Sequence, residues 1–217
     1  MNNEKVIIVV PTFNERENIE TLINQILKQP LNVELIVVDD NSPDGTGEIL
    51  DKLAAADQRI HVLHRKNERG RASAGLAGFK KALTYPDAEF IVEMDADFSH
   101  NPDDLPALVE AAKNADVAIG SRYVPGGGQK NCLRRNILFS RIINWVNRHL
   151  LKVRAKDASG GFKCYRRKVL ETINLNNYLA REFSVGVETL MKCQKHGFTF
   201  QEIPITFVNR RAGRSKA

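Results

Sequence analysis

Phe90-Ile91-Val92-Glu93-Met94-Asp95-Ala96-Asp97-Phe98-Ser99-His100-Asn101-Pro102-Asp103 joins an apolar run, two carboxylates and a helix start. Phe90 to Met94 is too short for a helix and reads as a strand. Asn101-Pro102 supplies a cap and a first-turn proline for a helix from about Asp103. Asp95 and Asp97 therefore stand at the C-terminal end of a strand, the edge at which open α/β sheets bind ligands. Alternate residues of an extended chain point the same way. Both carboxylates can then meet one hard divalent cation, Mg²⁺ or Mn²⁺, with Ser99 or His100 as a further ligand. Such an ion bridges phosphate oxygens and neutralises charge on a departing nucleotide diphosphate. A lone Asp-x-Asp is as often a solvated turn or cap; its place at a strand end favours the site.

The flanking sequence repeats the strand-then-helix pattern, which predicts an α/β fold with a mostly parallel sheet flanked by helices. Val6 to Val10 and Val33 to Val38 are β-branched runs that read as buried central strands. Between them Asn14 can cap a helix carrying Ile19, Leu22, Ile23, Ile26 and Leu27 at helical spacing. A helix is expected from Thr46, a strand at Ile60 to Leu63, a helix over Ser73 to Leu83 and a strand at Val117 to Gly120. Beyond Tyr123, Pro125-Gly126-Gly127-Gly128 reads as a flexible loop, and a basic, apolar helix follows over Asn136 to Lys152. Strands at Phe162 to Arg166 and Phe198 to Val208 enclose a helix over Val185 to His196. At 217 residues the chain is expected to form a single domain, with residues 1–123 and 124–217 as its two halves.

A second acidic group, Asp39-Asp40-Asn41-Ser42-Pro43-Asp44-Gly45, ends the second strand. Every residue type in it favours a turn or a cap. Consecutive carboxylates at the end of a buried strand are nevertheless costly without a partner, and base or ribose recognition would use Asp40 and Asp44.

Composition narrows the function classes. Thirty-two Lys and Arg against 26 Asp and Glu leave a net charge of +6, which favours an anionic partner. The basic residues do not interleave with aromatics as in a nucleic-acid module, so no nucleic-acid partner is expected. Gly70 to Gly75 lacks the Lys-Ser/Thr of a P-loop, and no Gly-x-Gly-x-x-Gly follows the first strand. Cys132, Cys164 and Cys193 are odd in number and far apart, which predicts reduced thiols. No run is long and apolar enough for a membrane span, and the residues before the first strand do not read as a signal peptide. A cytoplasmic location is expected.

Pro11-Thr12-Phe13-Asn14-Glu15, Val37 to Gly45, Met94 to His100 and Gly120-Ser121-Arg122-Tyr123 occur in order, followed by Asp157-Ala158-Ser159-Gly160-Gly161-Phe162-Lys163, Phe207-Val208-Asn209-Arg210 and Ser215-Lys216. This ordered set resembles family-two glycosyltransferases of the dolichol-phosphate (polyprenol-phosphate) mannose synthase type, over nearly the whole chain. The resemblance implies a GT-A, Rossmann-like fold and an inverting, metal-dependent transfer of mannose from GDP-mannose to a polyprenyl monophosphate. It implies that Pro11, Phe13, Glu15, Val38, Asp40 and Asp44 surround the nucleoside with Ala96, and that Asp95, Asp97 and Ser99 hold Mg²⁺ or Mn²⁺. By the same resemblance Asp97 and Arg122 serve catalysis, and Arg181 and Arg210 lie near the diphosphate or acceptor phosphate. Guanidinium forks suit phosphate oxygens.

Two stretches depart from the family pattern. Gly70-Arg71-Ala72-Ser73-Ala74 replaces a loop richer in glycine and leucine, and Arg135 and Ser140 stand one residue further apart than the family's Arg and Ser, with Arg134 as an alternative. Arg134 to Lys152 mixes apolar and basic residues as an interfacial helix does, though periodicity alone equally suits a core helix. The resemblance tips this helix toward peripheral contact with the cytoplasmic face of a membrane. The competing readings are a UDP-sugar transferase acting on undecaprenyl phosphate, a transferase to a saccharide hydroxyl, and a non-catalytic nucleotide-sugar binding module.

Overall fold

A computed structural model describes residues 4–66, 68–180 and 184–209. The predicted β-branched runs form β1 (Lys5–Thr12) and β2 (Asn32–Asp39), paired in parallel, with α1 (Ile19–Leu27) between them. The helix begins later than the predicted cap at Asn14. That residue takes a left-handed φ of 55° and donates its N–H to Ser42 Oγ at 2.8 Å, so the chain turns there to carry residues 13–18 along the sheet edge. Ile19, Leu22, Ile23 and Ile26 of α1 are fully buried, each stabilising by about 1.5–3 kcal/mol.

α2 (Thr46–Ala56), β3 (Ile60–His64), α3 (Arg71–Ala82) and β4 (Ala88–Glu93) follow the predicted order. A 3₁₀ turn at Pro102–Asp104 then leads into α4 (Leu105–Asn114) and β5 (Val117–Ser121). Asn101 caps the turn, its side chain accepting the Asp103 N–H. After β5 come β6 (Gly128–Lys130), α5 (Arg134–His149), β7 (Lys163–Arg166), α6 (Arg167–Thr172) and α7 (Ser184–Lys195). The predicted final strand is two strands, β8 (Phe200–Pro204) and β9 (Thr206–Val208). Pro204 has no N–H to continue the ladder, and the chain passes from β5 to β6 as its partner. β6, which begins at the last residue of the predicted flexible loop, and α6 were not expected.

The main sheet runs β3-β2-β1-β4-β7-β5-β8. β7 alone is antiparallel, set between β4 and β5. Alternation along the strands sends Ile8, Val10, Leu35 and Val92 to a core under α1, α2 and α4, and Ile7, Val9, Ile36 and Ile91 to a second core under α3, α6 and α7. α3 lies close on β1 because Gly78 has no side chain; a Cβ there would stand 2.2 Å from Val9 Cγ1.

α5 belongs to neither core. Its buried residues are Asn144 and Asn147, while Leu138, Phe139, Ile142 and Trp145 are exposed. The core-helix alternative is thereby corrected: the polar seam of this helix faces the protein. No described helix is long and apolar enough to cross a membrane.

Candidate active site

The ends of β1, β2, β4 and β5 meet the start of the antiparallel β7 at one edge of the sheet. Beyond β4 the burial alternation continues, with Met94, Ala96 and Phe98 in the core and Asp95 and Asp97 turned outward. The carboxylates thus lie in the loop after the strand and still share a side. Phe98 ends the alternation with a φ of 60°. Ala96, expected beside the nucleotide, packs its side chain into the core at 4% exposure and can offer a ligand only its backbone.

Asp97 Oδ1 accepts the Ser99 N–H at 3.0 Å. Ser99 Oγ is buried without a hydrogen-bond partner, an uncommon state for a hydroxyl that normally needs one. His100 is held for packing: its ring stacks on Phe162 at 5.1 Å and meets Phe207 edge-on at 5.8 Å. Burial pushes its pKa below the ordinary value despite Asp95 and Asp97, so the ring is neutral. Among the described residues no three His, Cys, Asp or Glu side chains converge as a complete metal site.

Four charged residues that sequence reasoning missed surround this point. Arg71, the first residue of α3, places Nε 2.7 Å and Nη2 2.6 Å from Asp95 Oδ1, and Nη1 2.9 Å from Glu93. Burial pushes the Asp95 carboxyl upward, but Arg71, by its charge and hydrogen bond, together with His100 and Lys163, holds the pKa low. Glu93 is 7% exposed and sits under α3, where a Cβ on Gly75 would come within 2.7 Å of Oε1. Its direct cross-strand partner is Lys163, which is 1% exposed. Lys163 Nζ donates to the Gly160 carbonyl, and burial lowers its pKa although Glu93 and Asp157 oppose the shift. On the nucleoside side Arg65 forks onto Asp40 at 2.7 and 2.8 Å, and Gly70 N–H adds a third bond at 2.9 Å. Glu93 within an apolar run and Lys163 between Phe162 and Cys164 were the available signals.

Arg122 is fixed by the buried Asp157, with Nε 2.7 Å from Oδ2 and Nη2 2.6 Å from Oδ1, and Nη2 also donates to Ser159. Its guanidinium stands over Tyr123 and Phe207. Asn144 of α5 donates to Ser159 at 2.9 Å, and Tyr123 donates to Ser140 of α5 at 2.7 Å. Arg134 and Arg135 are exposed at the start of that helix.

Arg71, Glu93, Asp95, His100, Arg122 and Lys163 line a cavity of about 1100 Å³. Its other walls are largely apolar, including Phe139, Ile143 and Leu151 from α5 and its C-terminal connection and Val185, Val187 and Met191 from α7. Pro11, Phe13, Glu15, Val38, Asp40 and Asp44 are outside this cavity, at the ends of β1 and β2. Val38 packs its side chain into the core beneath α3. Pro11 is buried near Gly75, whereas Phe13 is partly exposed with Arg69 5.2 Å above its ring. Glu15 is buried and accepts from Asn18 at 2.7 Å. Asp44 shapes the turn, accepting from Arg16 N–H, Thr46 N–H and Thr46 Oγ. Arg181 and Arg210, with Ser215 and Lys216, fall outside the described residues.

The loop after β2 has a titratable brace. His64 Nε2 is 2.9 Å from Asp51 and Nδ1 is 3.3 Å from the buried Asp39, which takes the Ser42 hydroxyl at 2.5 Å. The Asp51 hydrogen bond, and then that of Asp39, raise the His64 pKa above its ordinary 6.5 against the lowering effect of burial. A raised folded-state pKa gives stability that is complete below about 6.5 and lost as pH rises through the raised value. An NMR titration should find His64 above 6.5 in the native protein and lower in Asp51→Asn; a native value at or below 6.5 would refute this brace.

Comparison with known proteins agrees with the architecture. The profile of glycosyl transferase family 2 matches residues 7–173. A polyprenol monophosphomannose synthase of Mycolicibacterium smegmatis is 41% identical over 215 residues, covering 98% of this chain and 81% of that protein. An undecaprenyl-phosphate mannosyltransferase of Micrococcus luteus is 37% identical, covering 98% and 87%. A dolichol-phosphate mannosyltransferase of Pyrococcus furiosus is 41% identical; the match covers 98% of this chain but 59% of that longer protein. Among solved structures, glucosyl-3-phosphoglycerate synthase of Mycobacterium tuberculosis with Mn²⁺, UDP and phosphoglyceric acid superposes with a TM-score of 0.69 at 18% identity, covering 98% of this chain and 72% of that one. Such distant likeness speaks for the GT-A fold alone. The sheet with its charged edge, the profile match and the relatives together place this chain in glycosyl transferase family 2, as a glycosyltransferase.

Proposed function

We propose that this chain transfers mannose from GDP-mannose to the phosphate of a polyprenyl monophosphate, with inversion at the anomeric carbon. The observation that carries this reading is the cavity lined by Asp95, Arg122 and Lys163 and, over most of its surface, by apolar groups. An acceptor with an anionic head and a hydrocarbon tail matches both kinds of lining. The names of the relatives point to the same acceptor class and to mannose.

The residues fit a divalent cation. Asp95, Asp97 and Ser99 offer hard oxygen, and the partnerless Ser99 hydroxyl is an acceptor in search of a ligand. Mg²⁺ commonly takes one or two carboxylates and completes its shell with phosphate oxygens and water, so a site with few protein ligands suffices; Mn²⁺ suits the same oxygen donors. When bound, the ion would supply charge neutralisation for the departing diphosphate. Arg122, fixed by Asp157, would orient a phosphate oxygen against the sugar. That oxygen forms the new bond to the anomeric carbon as the bond to the diphosphate breaks. A phosphate monoester loses its second proton near pH 6, so the acceptor is a nucleophile at neutral pH without a protein base. Asp40, held by Arg65, together with Pro11, Phe13, Glu15 and Val38, would border the nucleoside. Asp44 and Ala96 would contribute through the shape of their loops.

α5 presents Leu138, Phe139, Ile142 and Trp145 with Arg134, Arg135, Arg141 and Arg148 outward. This combination suits peripheral contact with an anionic membrane, where each basic residue near the surface contributes about 1 kcal/mol. The enzyme would then work at the cytoplasmic face, where a lipid-borne acceptor resides.

The test is radiolabel transfer from GDP-mannose, and in parallel UDP-glucose, to a short polyprenyl phosphate in anionic vesicles, with Mg²⁺ or Mn²⁺ and with EDTA. Metal-dependent mannose label in the lipid is expected, together with flotation of the protein with the vesicles. Label from UDP-glucose alone would overturn the donor assignment. Label on a saccharide but not on the lipid would overturn the acceptor, and failure to float with anionic vesicles would overturn membrane contact.

A further inference from the structure

We infer that Arg71 is a resident cation at Asp95, one that must swing aside, pivoting on Glu93, for a divalent cation to bind. This inference rests on the metal reading proposed above. Two nitrogens of the guanidinium already address Asp95 Oδ1, at 2.7 and 2.6 Å, the carboxylate expected to meet the metal. A guanidinium and a divalent ion at one carboxylate repel each other, and the Arg71 Nε–H already holds Oδ1. The two therefore compete for Asp95.

The direction of movement follows from what holds the rest of Arg71. Its Nη1 is 2.9 Å from Glu93, a carboxylate lodged beneath α3 against the bare face of Gly75. Arg71 is hydrogen-bonded to this buried carboxylate, with Lys163 across the strand as its other neighbouring cation, so losing the Arg71 contact is disfavoured and it persists when Asp95 is released. Gly161 faces the moving end: a Cβ there would stand 2.5 Å from Arg71 Nη2 and 3.2 Å from Asp95 Oδ2. The missing side chain leaves room there for the guanidinium and for Oδ2 of Asp95. A guanidinium freed toward the cavity would meet the diphosphate, which gives back the ion pair lost at Asp95. Metal and nucleotide binding are thereby coupled, and by linkage each strengthens the other by the same factor. Without nucleotide, the protein keeps Asp95 neutralised by its own side chain, and metal affinity falls by the fraction of molecules in the released state.

The experiment measures Mn²⁺ binding by the electron paramagnetic resonance signal of free Mn²⁺, with and without GDP. It compares the wild-type protein, Arg71→Gln and Arg71→Lys, after circular dichroism has shown each to be folded. Arg71→Gln should bind Mn²⁺ about tenfold more tightly than wild type without nucleotide, and its gain on adding GDP should shrink. Arg71→Lys keeps a charge beside Glu93 but cannot fork onto Asp95. It should shift affinity in the same direction by a smaller factor, and it serves as the test should the Gln variant not fold. Equal nucleotide-free affinity in wild type and the folded variants would overturn this inference while leaving the metal reading intact. No Mn²⁺ binding in any protein, even with GDP, would overturn both.

Discussion

Asp97→Ala should lower mannosyl transfer by about 10²–10³-fold, the range seen when one group that stabilises transition-state charge is removed, and should leave the protein folded. The structural cost is small because Asp97 is turned outward from the core, where it accepts the Ser99 N–H at 3.0 Å. Losing one such bond costs about 1 kcal/mol, a melting shift of about 2–4 °C for a chain of this size. Transfer and thermal melting measured on the same preparation separate the two effects. A folded variant with near-normal transfer would remove Asp97 from the catalytic set.

Asp157→Ala should show the opposite balance, with a large loss of stability alongside the loss of activity. Asp157 is fully buried and accepts the Arg122 backbone N–H at 2.9 Å as well as the two side-chain bonds. Removing one member of such a pair strands the other charge, at about 3–5 kcal/mol, so melting should fall by about 10 °C at neutral pH. Burial alone would raise the Asp157 pKa, but Arg122 outweighs it and holds the carboxyl below its ordinary 3.8. A lowered folded-state pKa gives stability that is complete above the unfolded value and lost as pH falls through the folded one. The gap between wild type and variant should therefore persist at pH 5–8 and close only in strong acid. A melting difference under about 2 °C at pH 7 would show that Arg122 does not depend on this partner.

Most strands and helices before Tyr123 could be read from the chain because local signals agree there: β-branched runs for strands, and Asn101-Pro102 for a helix start. The outward pairing of Asp95 and Asp97 was legible for the same reason, since alternation persists past the end of β4. The partners of these acids were not. Arg65, Arg71 and Lys163 are charged, and a charge in a sequence reads as surface unless its partner is known. The opposing sides of those pairs are 25, 22 or 24, and 70 positions away. The orientation of α5 was hidden differently. Periodicity finds an apolar stripe on a helix but not what lies beside it. Ser140, Asn144 and Asn147 recur at helical spacing and form the polar seam that faces the protein.

The reversed strand β7 also sets an order of events during synthesis. β5 leaves the ribosome before β7, yet both of its neighbours in the sheet, β7 and β8, come later in the chain. Until residue 166 has emerged, β4 has an unpaired edge and β5 has no ladder to join. A nascent chain ending near Tyr123 can pair β1 to β4 but cannot seat Arg122, whose partner Asp157 is still unmade. The sheet thus draws strands from both sides of that point, and the exposed β4 edge is the place where an incomplete chain would meet another of its kind.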